Sequence, residues 1–294
     1  MFRIKKRLLC CLLGLAVLFV AAGLYRGGAR MAQGKRQQVQ LPILMYHHIL
    51  EDSALLGDYV ITPGQFQKDM EYLKSKGYTT VLPREVIAYA RGKGTLPEKP
   101  VMVTFDDGNK STFVYALPIL ERLGMKAALA VIGIHSEQYS LTADGNVSYA
   151  HATWSELFEM ENSGLMEIGN HTYNLHELSS PRRGTLRREG EDLSDYRRAI
   201  YDDLSTNQQL LQAATGEYPQ FFAYPYGFID PDADEVLEEL GLVLTLGVAE
   251  RVDTVVFADL SSIKKLGRFN RPHRADTGEF LEGIFSQMDP ESGE

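Results

Sequence analysis

The chain has 294 residues, 44% hydrophobic and 23% charged, which excludes wholesale disorder, collagen-like repeats and low-complexity scaffolds. Its net charge of −9 is unevenly spread: residues 1–40 hold eight of the 30 Lys and Arg and none of the 39 Asp and Glu, so residues 41–294 carry 22 basic against 39 acidic side chains. So acidic a body argues against nucleic acid or another polyanion as the partner.

Leu8 to Leu24 is an uncharged run of 17 residues preceded by Arg3, Lys5, Lys6 and Arg7. As a helix it spans ~25 Å, enough for a short membrane crossing. The pattern predicts a signal anchor over 1–25 and a linker over 26–40, with a cleaved secretory signal as the alternative. The positive-inside rule puts the N-terminus in the cytoplasm and the body outside, on a single-pass membrane protein. Both cysteines, Cys10 and Cys11, fall inside the apolar run, so the body has neither a disulfide nor thiol chemistry.

From residue 41 onward, strands and helices are expected to alternate. Leu41–Tyr46 is an apolar run suited to a buried strand. Thr62-Pro63 starts a helix that Gly77 closes. Strand-like 79–82 leads to a short helix near 84–91, and 101–105 is a strand ending at Asp106-Asp107-Gly108. A helix at 112–123, a strand at 127–132 and a helix opened by the Thr153/Glu156 capping box follow, then a strand over 166–170. Polar, Arg-rich residues 178–198 interrupt the rhythm before a long helix to about Ala214. Strands at 221–224, 242–248 and 263–269 and helices at 232–240 and 278–287 complete the chain. This is an α/β pattern, expected as a distorted (β/α) barrel of about seven to eight parallel strands in one domain over 41–294. An open doubly wound sheet competes, but no G-x-G-x-x-G follows the first strand.

In such barrels chemistry gathers at the C-terminal ends of the strands, and three ends are chemically loaded. Asp106 and Asp107 are costly if buried unpaired. Gly108 lets the chain turn so that both reach one site, where a cation would take one and leave the other as a base; an Asx turn or helix cap is the plainer alternative. His171 and His176 are five apart. That spacing is ~140° on a helix and opposite faces on a strand, so only a strand end followed by a loop brings them together. Two unrelated surface histidines would be the plainer case; with the aspartates they make a plausible divalent site. The third end, Phe221 to Gly227, turns at Tyr224-Pro225-Tyr226 and offers backbone N–H groups to a substrate, or only a packed turn.

These segments resemble the polysaccharide deacetylases, carbohydrate esterase family four. Thr104 to Gly108 matches the family's T-F-D-D-G motif, and His171-Thr172 with His176 matches its histidine motif. The five-residue spacing and the Leu44 to Ile49 segment are similar to the branch acting on poly-N-acetylglucosamine. The resemblance implies that Asp106 is the catalytic base and that Asp107, His171 and His176 hold one divalent ion, Zn²⁺ first, with Co²⁺ or Ni²⁺ as alternatives. It also implies that the Tyr226 N–H faces the oxyanion. The Arg that opens the family's third motif is missing, and Arg268 stands as a substitute. The family's final Leu-x-His is not evident, which leaves His273 as the candidate general acid. Tyr173, Tyr224 and Pro225 are candidate substrate contacts. His47 is expected to line the pocket or to be a satisfied structural histidine. His135, His151 and the cluster Arg182, Arg183, Arg187 and Arg188 receive no role.

The resemblance thus implies a membrane-anchored, extracytoplasmic, metal-dependent hydrolase removing N-acetyl groups from an N-acetylglucosamine polysaccharide, poly-N-acetylglucosamine or peptidoglycan. An O-acetyl esterase on xylan or a cell-wall polymer, and a binding module that kept the fold without turnover, are the alternatives.

Overall fold

The computed structural model describes residues 37–288 except 52–53, 143 and 179–180; the expected anchor and nearly all of the linker lie outside them. Among the described residues no helix is long and apolar enough to cross a membrane.

The strands in chain order are β1 (Gln38–Leu41), β2 (Ile43–Tyr46), β3 (His48–Ile49), β4 (Val60–Ile61), β5 (Thr79–Thr80), β6 (Pro100–Phe105), β7 (Ala127–Val131), β8 (Met166–Asn170), β9 (Phe221–Ala223), β10 (Leu244–Leu246), β11 (Asp253–Val256) and β12 (Phe269–Asn270). The helices are α1 (Pro63–Ser75), α2 (Pro83–Ala90), α3 (Leu117–Leu123), α4 (Gly133–Leu141), α5 (Trp154–Asn162), α6 (Leu193–Thr215), α7 (Asp234–Glu239) and α8 (Thr277–Phe285). Local chemistry explains the starts. Thr62 accepts the Gln65 N–H at 3.1 Å while Gln65 Oε1 takes the Thr62 N–H at 3.1 Å, and Thr153 and Glu156 repeat the arrangement at α5. Asp192 caps α6 and starts it at Leu193, within the stretch expected to be irregular.

The main sheet is parallel, in the order β10-β9-β8-β7-β6-β2-β12, with β5 also on β6. Its two edges are linked by one stretch of chain. Leu266 bridges to Leu246 of β10, and three residues later Phe269 pairs with Leu44 of β2. The strand expected over 263–269 is therefore a short 3₁₀ turn (Leu260–Ile263) and a linking segment that serves each edge in turn. The result is an incomplete barrel with helices outside. β11, which pairs antiparallel with β1, and α4 were not expected from the sequence; β11 is only partly buried, so its side chains lack the apolar run that marks the inner strands.

The period of two along each strand separates a helix-facing from an interior-facing set. Leu44, Tyr46, Val101, Val103, Phe105 and Ile168 pack outward with α1, α3 and α5 residues such as Phe66, Leu120 and Met160. Ile43, Met102, Ala128, Phe221, Ala223 and Leu246 pack with one another inside. The same parity carries past the strand ends and decides which residues can meet.

Candidate metal centre and active site

Counting in twos along the interior set, β6 gives Met102, Thr104 and Asp106, β8 gives Glu167, Gly169 and His171, and β2 gives Ile43, Met45 and His47. Three side chains at three strand ends thus point into the same space. Asp106 is buried. Arg268, also buried, clamps it with Nη1–Oδ1 and Nη2–Oδ2 distances of 2.7 Å, and anchors itself by donating from Nε to the Gly247 carbonyl at 2.8 Å. Burial alone would raise the Asp106 pKa, but the guanidinium and its hydrogen bonds outweigh it, so the carboxyl stays ionised below its usual range.

Asp107 lies one residue beyond and would face outward on a continued strand. It adopts φ 72°, and Gly108 follows at φ 78°, which swings the carboxylate back over the barrel mouth. A Cβ on Gly108 would come within 3.2 Å of Val131, so the turn needs glycine on both counts. His151 Nδ1 donates to the Asp107 carbonyl at 3.0 Å and holds the turn.

Asp107 Oδ1 is 3.6 Å from His171 Nε2 and 3.5 Å from His176 Nε2, and one donor atom from each of the three residues lies within 4.8 Å of the others. Ligand atoms of a tetrahedral Zn²⁺ site with ~2.0–2.1 Å bonds stand ~3.3 Å apart, so the spacing fits an ion. His171 Nδ1 is 2.8 Å from the Ala223 carbonyl. A carbonyl only accepts, so Nδ1 carries the hydrogen and Nε2 presents its lone pair to the site. Burial, with the neighbouring His171 next in weight, pushes His176 down to about 4 and keeps it an available ligand. Burial alone would raise the Asp107 pKa, but the imidazole of His171 beside it, with those of His47 and His176, outweighs burial and holds the carboxyl well below its usual range. The structure therefore brings together all four residues Asp106, Asp107, His171 and His176.

The remaining candidates separate. Tyr226 adopts φ 56°, its ring packs on His176 at 4.2 Å, and its N–H finds no acceptor among the described residues. His47 is in the site: its ring lies 4.9 Å from that of Tyr59, and its buried Nδ1 has no partner among the described residues. His48 is the satisfied one, bonded to Ser111 Oγ at 2.6 Å and the Ser148 carbonyl at 3.1 Å. Tyr173 packs close to Gly133 and donates its hydroxyl to Glu137 at 2.6 Å.

Three expectations need correction. Tyr224 is fully buried and packs with Phe222, Tyr196 and Val236 under the helices, because its parity is that of the outer face; it offers no ring to a sugar. Pro225 is also buried. His273 is bound away from the carboxylates: its ring meets Gln65 Oε1 at 2.5 Å and its N–H donates to Gly57 at 2.8 Å. The reason is Arg271, whose buried ion pair with Asp69 of α1 (2.8 Å) draws this segment to the outer layer.

Sequence reasoning gave no assignment to Asp203 and Asn207 of α6, which bond the chain around His171. A signal existed, since polar Asn207 and Gln208 fall on the buried stripe with Ile200, Leu204 and Leu211.

A family model described as polysaccharide deacetylase matches residues 93–245. The poly-beta-1,6-N-acetyl-D-glucosamine N-deacetylase of Staphylococcus aureus (strain MSSA476) is 26% identical over 207 residues, 70% of this chain and 67% of that protein. Among solved structures, a de-N-acetylase from Aggregatibacter actinomycetemcomitans superposes with a TM-score of 0.70 at 23% identity, covering 84% of this chain and 100% of that one, and shows the shared fold. IcaB from Ammonifex degensii superposes with a TM-score of 0.65 at 28% identity, covering 83% and 95%.

Proposed function

The chain belongs to the polysaccharide deacetylase family, and on that premise we propose that it is a metal-dependent enzyme removing N-acetyl groups from poly-β-1,6-N-acetylglucosamine outside the cytoplasm. One juxtaposition carries this reading: three ligand atoms from Asp107, His171 and His176 converge beside a second carboxylate, Asp106, that an arginine keeps ionised. The name of the Staphylococcus aureus relative supports the polymer. The basic, then apolar, first 25 residues support membrane anchoring and an extracytoplasmic domain.

When bound by Asp107, His171 and His176, a divalent ion polarises the acetyl carbonyl and acidifies water. Asp106 accepts the proton of the attacking water, and Arg268 holds its carboxylate in one orientation. The Tyr226 N–H donates to the oxygen on which negative charge develops. His47 replaces His273 as the group that protonates the departing amine: it faces both aspartates and has an unpartnered ring nitrogen. Tyr226, 37% exposed, gives an aromatic face beside the proposed ligands for a sugar ring.

The test incubates the full chain and Zn²⁺ with β-1,6-linked N-acetylglucosamine oligomers and measures acetate. Wild type is expected to release acetate with one new amine per acetate. Asp106→Asn should lower kcat by ~10²–10⁴-fold and His47→Gln by ~10–10²-fold, with metal still bound in both. No acetate from any N-acetylglucosamine oligomer, with cleavage of an O-acetyl ester under the same conditions, would replace the amidase by an esterase.

A further inference from the structure

His171 and His176 are joined by a short loop that belongs to no helix or strand, yet its backbone is bonded at nearly every step. Thr172 is buried at φ 73°, an unfavourable conformation for a β-branched residue, so other groups must hold it there. Its N–H donates to Asn170 Oδ1 at 2.8 Å. Its carbonyl accepts from the Gly133 N–H at 3.1 Å and from Asn207 Nδ2 at 3.0 Å. The next two N–H groups, of Tyr173 and Asn174, go to the two oxygens of one carboxylate: Asp203 Oδ1 and Oδ2, each at 2.8 Å.

Asp203 and Asn207 are one turn apart on α6, so they present side by side to the loop. Asn207 is wholly buried and ties the loop to its surroundings. The same Nδ2 also lies 2.9 Å from the Val131 carbonyl and 2.9 Å from Asn170 Oδ1. Its Oδ1 approaches Gly133 so closely that a Cβ there would sit 2.1 Å away. None of these contacts touches Asp107, His171 or His176 side chains. Those to Thr172, Tyr173 and Asn174 fix the backbone between the two ring ligands, and those to Val131, Asn170 and Gly133 brace Asn207 itself.

Resting on the metal-dependent reading above, we propose that Asp203 is a positioning residue that sets the separation of His171 and His176, and thereby the affinity of the site for its divalent ion. Two successive N–H groups on one carboxylate fix both the distance and the tilt of the loop, and charge-assisted bonds of this kind are stronger than neutral ones. Groups that orient metal ligands from behind typically change metal affinity by ~10–100-fold when removed.

The test measures Zn²⁺ affinity of the full chain by competition with a chromophoric chelator, and the visible absorption of the Co²⁺ form. Asp203→Ala and the near-isosteric Asp203→Asn are compared with Asp202→Ala, an exposed neighbour on the same helix. The expected result is a Kd raised ~10–100-fold in Asp203→Ala, a smaller rise in Asp203→Asn, an altered Co²⁺ band in both, and no change in Asp202→Ala. Acetate release by Asp203→Ala should return toward wild type when Zn²⁺ greatly exceeds the new Kd, with KM for the oligomer unchanged. Unchanged Kd and Co²⁺ spectra in both Asp203 variants would overturn the proposal while leaving the metal reading intact. Wild-type protein that binds neither ion would overturn the metal reading and this inference with it. If Asp203→Ala does not fold, Asp203→Asn decides by the same criteria.

Discussion

At the scale of single residues, Asp106, the proposed base, and its partner Arg268 are the most exacting pair. Asp106 and Arg268 are both buried, and the attraction between them offsets a desolvation cost that neither could bear alone. Arg268→Lys keeps the charge and loses the two-pronged geometry. We expect kcat/KM to fall ~10–100-fold. The weakened cation no longer outweighs burial, so the Asp106 pKa rises and the acid limb of the pH–rate profile moves to higher pH. A profile that keeps its acid limb would mean that the arginine acts only on folding. His47 shows how one position separates chemistry from structure: it and His48 are neighbours of the same type, and only parity along β2 sends the first to the carboxylates and the second to Ser111.

At the scale of elements, β8 carries function at one end and a titrating group at the other. Glu167 is buried, and burial pushes its carboxyl up to about 8, although it accepts the Arg84 N–H at 2.9 Å. The folded protein then keeps a proton that the unfolded chain releases near pH ~4.5. More protons are bound in the native state between those values, so stability falls as pH rises through the window. Glu167→Gln keeps the acceptor and removes the titration. Urea melts should show equal stability at pH 4.5 and a gain for the variant on the order of 2–4 kcal/mol at pH 8.5. A gain that is the same at both pH values would reject the cause.

Elements of this kind were largely legible in the sequence. Strand β8 falls where expected, and Thr62 and Thr153 mark helix starts because a cap is a contact between residues three apart. The grouping of Asp107, His171 and His176 was legible too, since each follows a readable strand. What escaped depends on distant partners. The bond from Asn207 to Thr172 spans 35 residues; Arg268, 162 residues from Asp106, could be named beforehand only through the family resemblance, as the substitute for a missing arginine. Tyr224 was misplaced for a simpler reason: an aromatic before Pro-Tyr-Gly looks like site material until the strand's parity is counted from its interior neighbours Phe221 and Ala223.

At the scale of the whole molecule, the proposed ligands Asp107, His171 and His176 come from the ends of β6 and β8, so an ion bound there would join separate stretches of chain that the unfolded state does not hold together. A ligand that binds only the native state stabilises it by ~2.7 kcal/mol at a hundred times its Kd. For a folded unit of this size that corresponds to a Tm rise of roughly 5–10 °C. Calorimetry with Zn²⁺ and then with excess chelator should show that shift in wild type and lose it in His176→Ala. Equal Tm values with and without the ion would refute the site.

The linking stretch from Leu266 to Phe269 has a consequence for how such chains are compared. Arg268 enters at the seam where the two sheet edges are joined, so the link in the architecture and the clamp on Asp106 are one side chain. Linear order is then a poor guide to pairing: the guanidinium that clamps Asp106 is supplied 162 residues downstream. A reading confined to short signatures in chain order misses this pairing, which appears only where the strand ends meet.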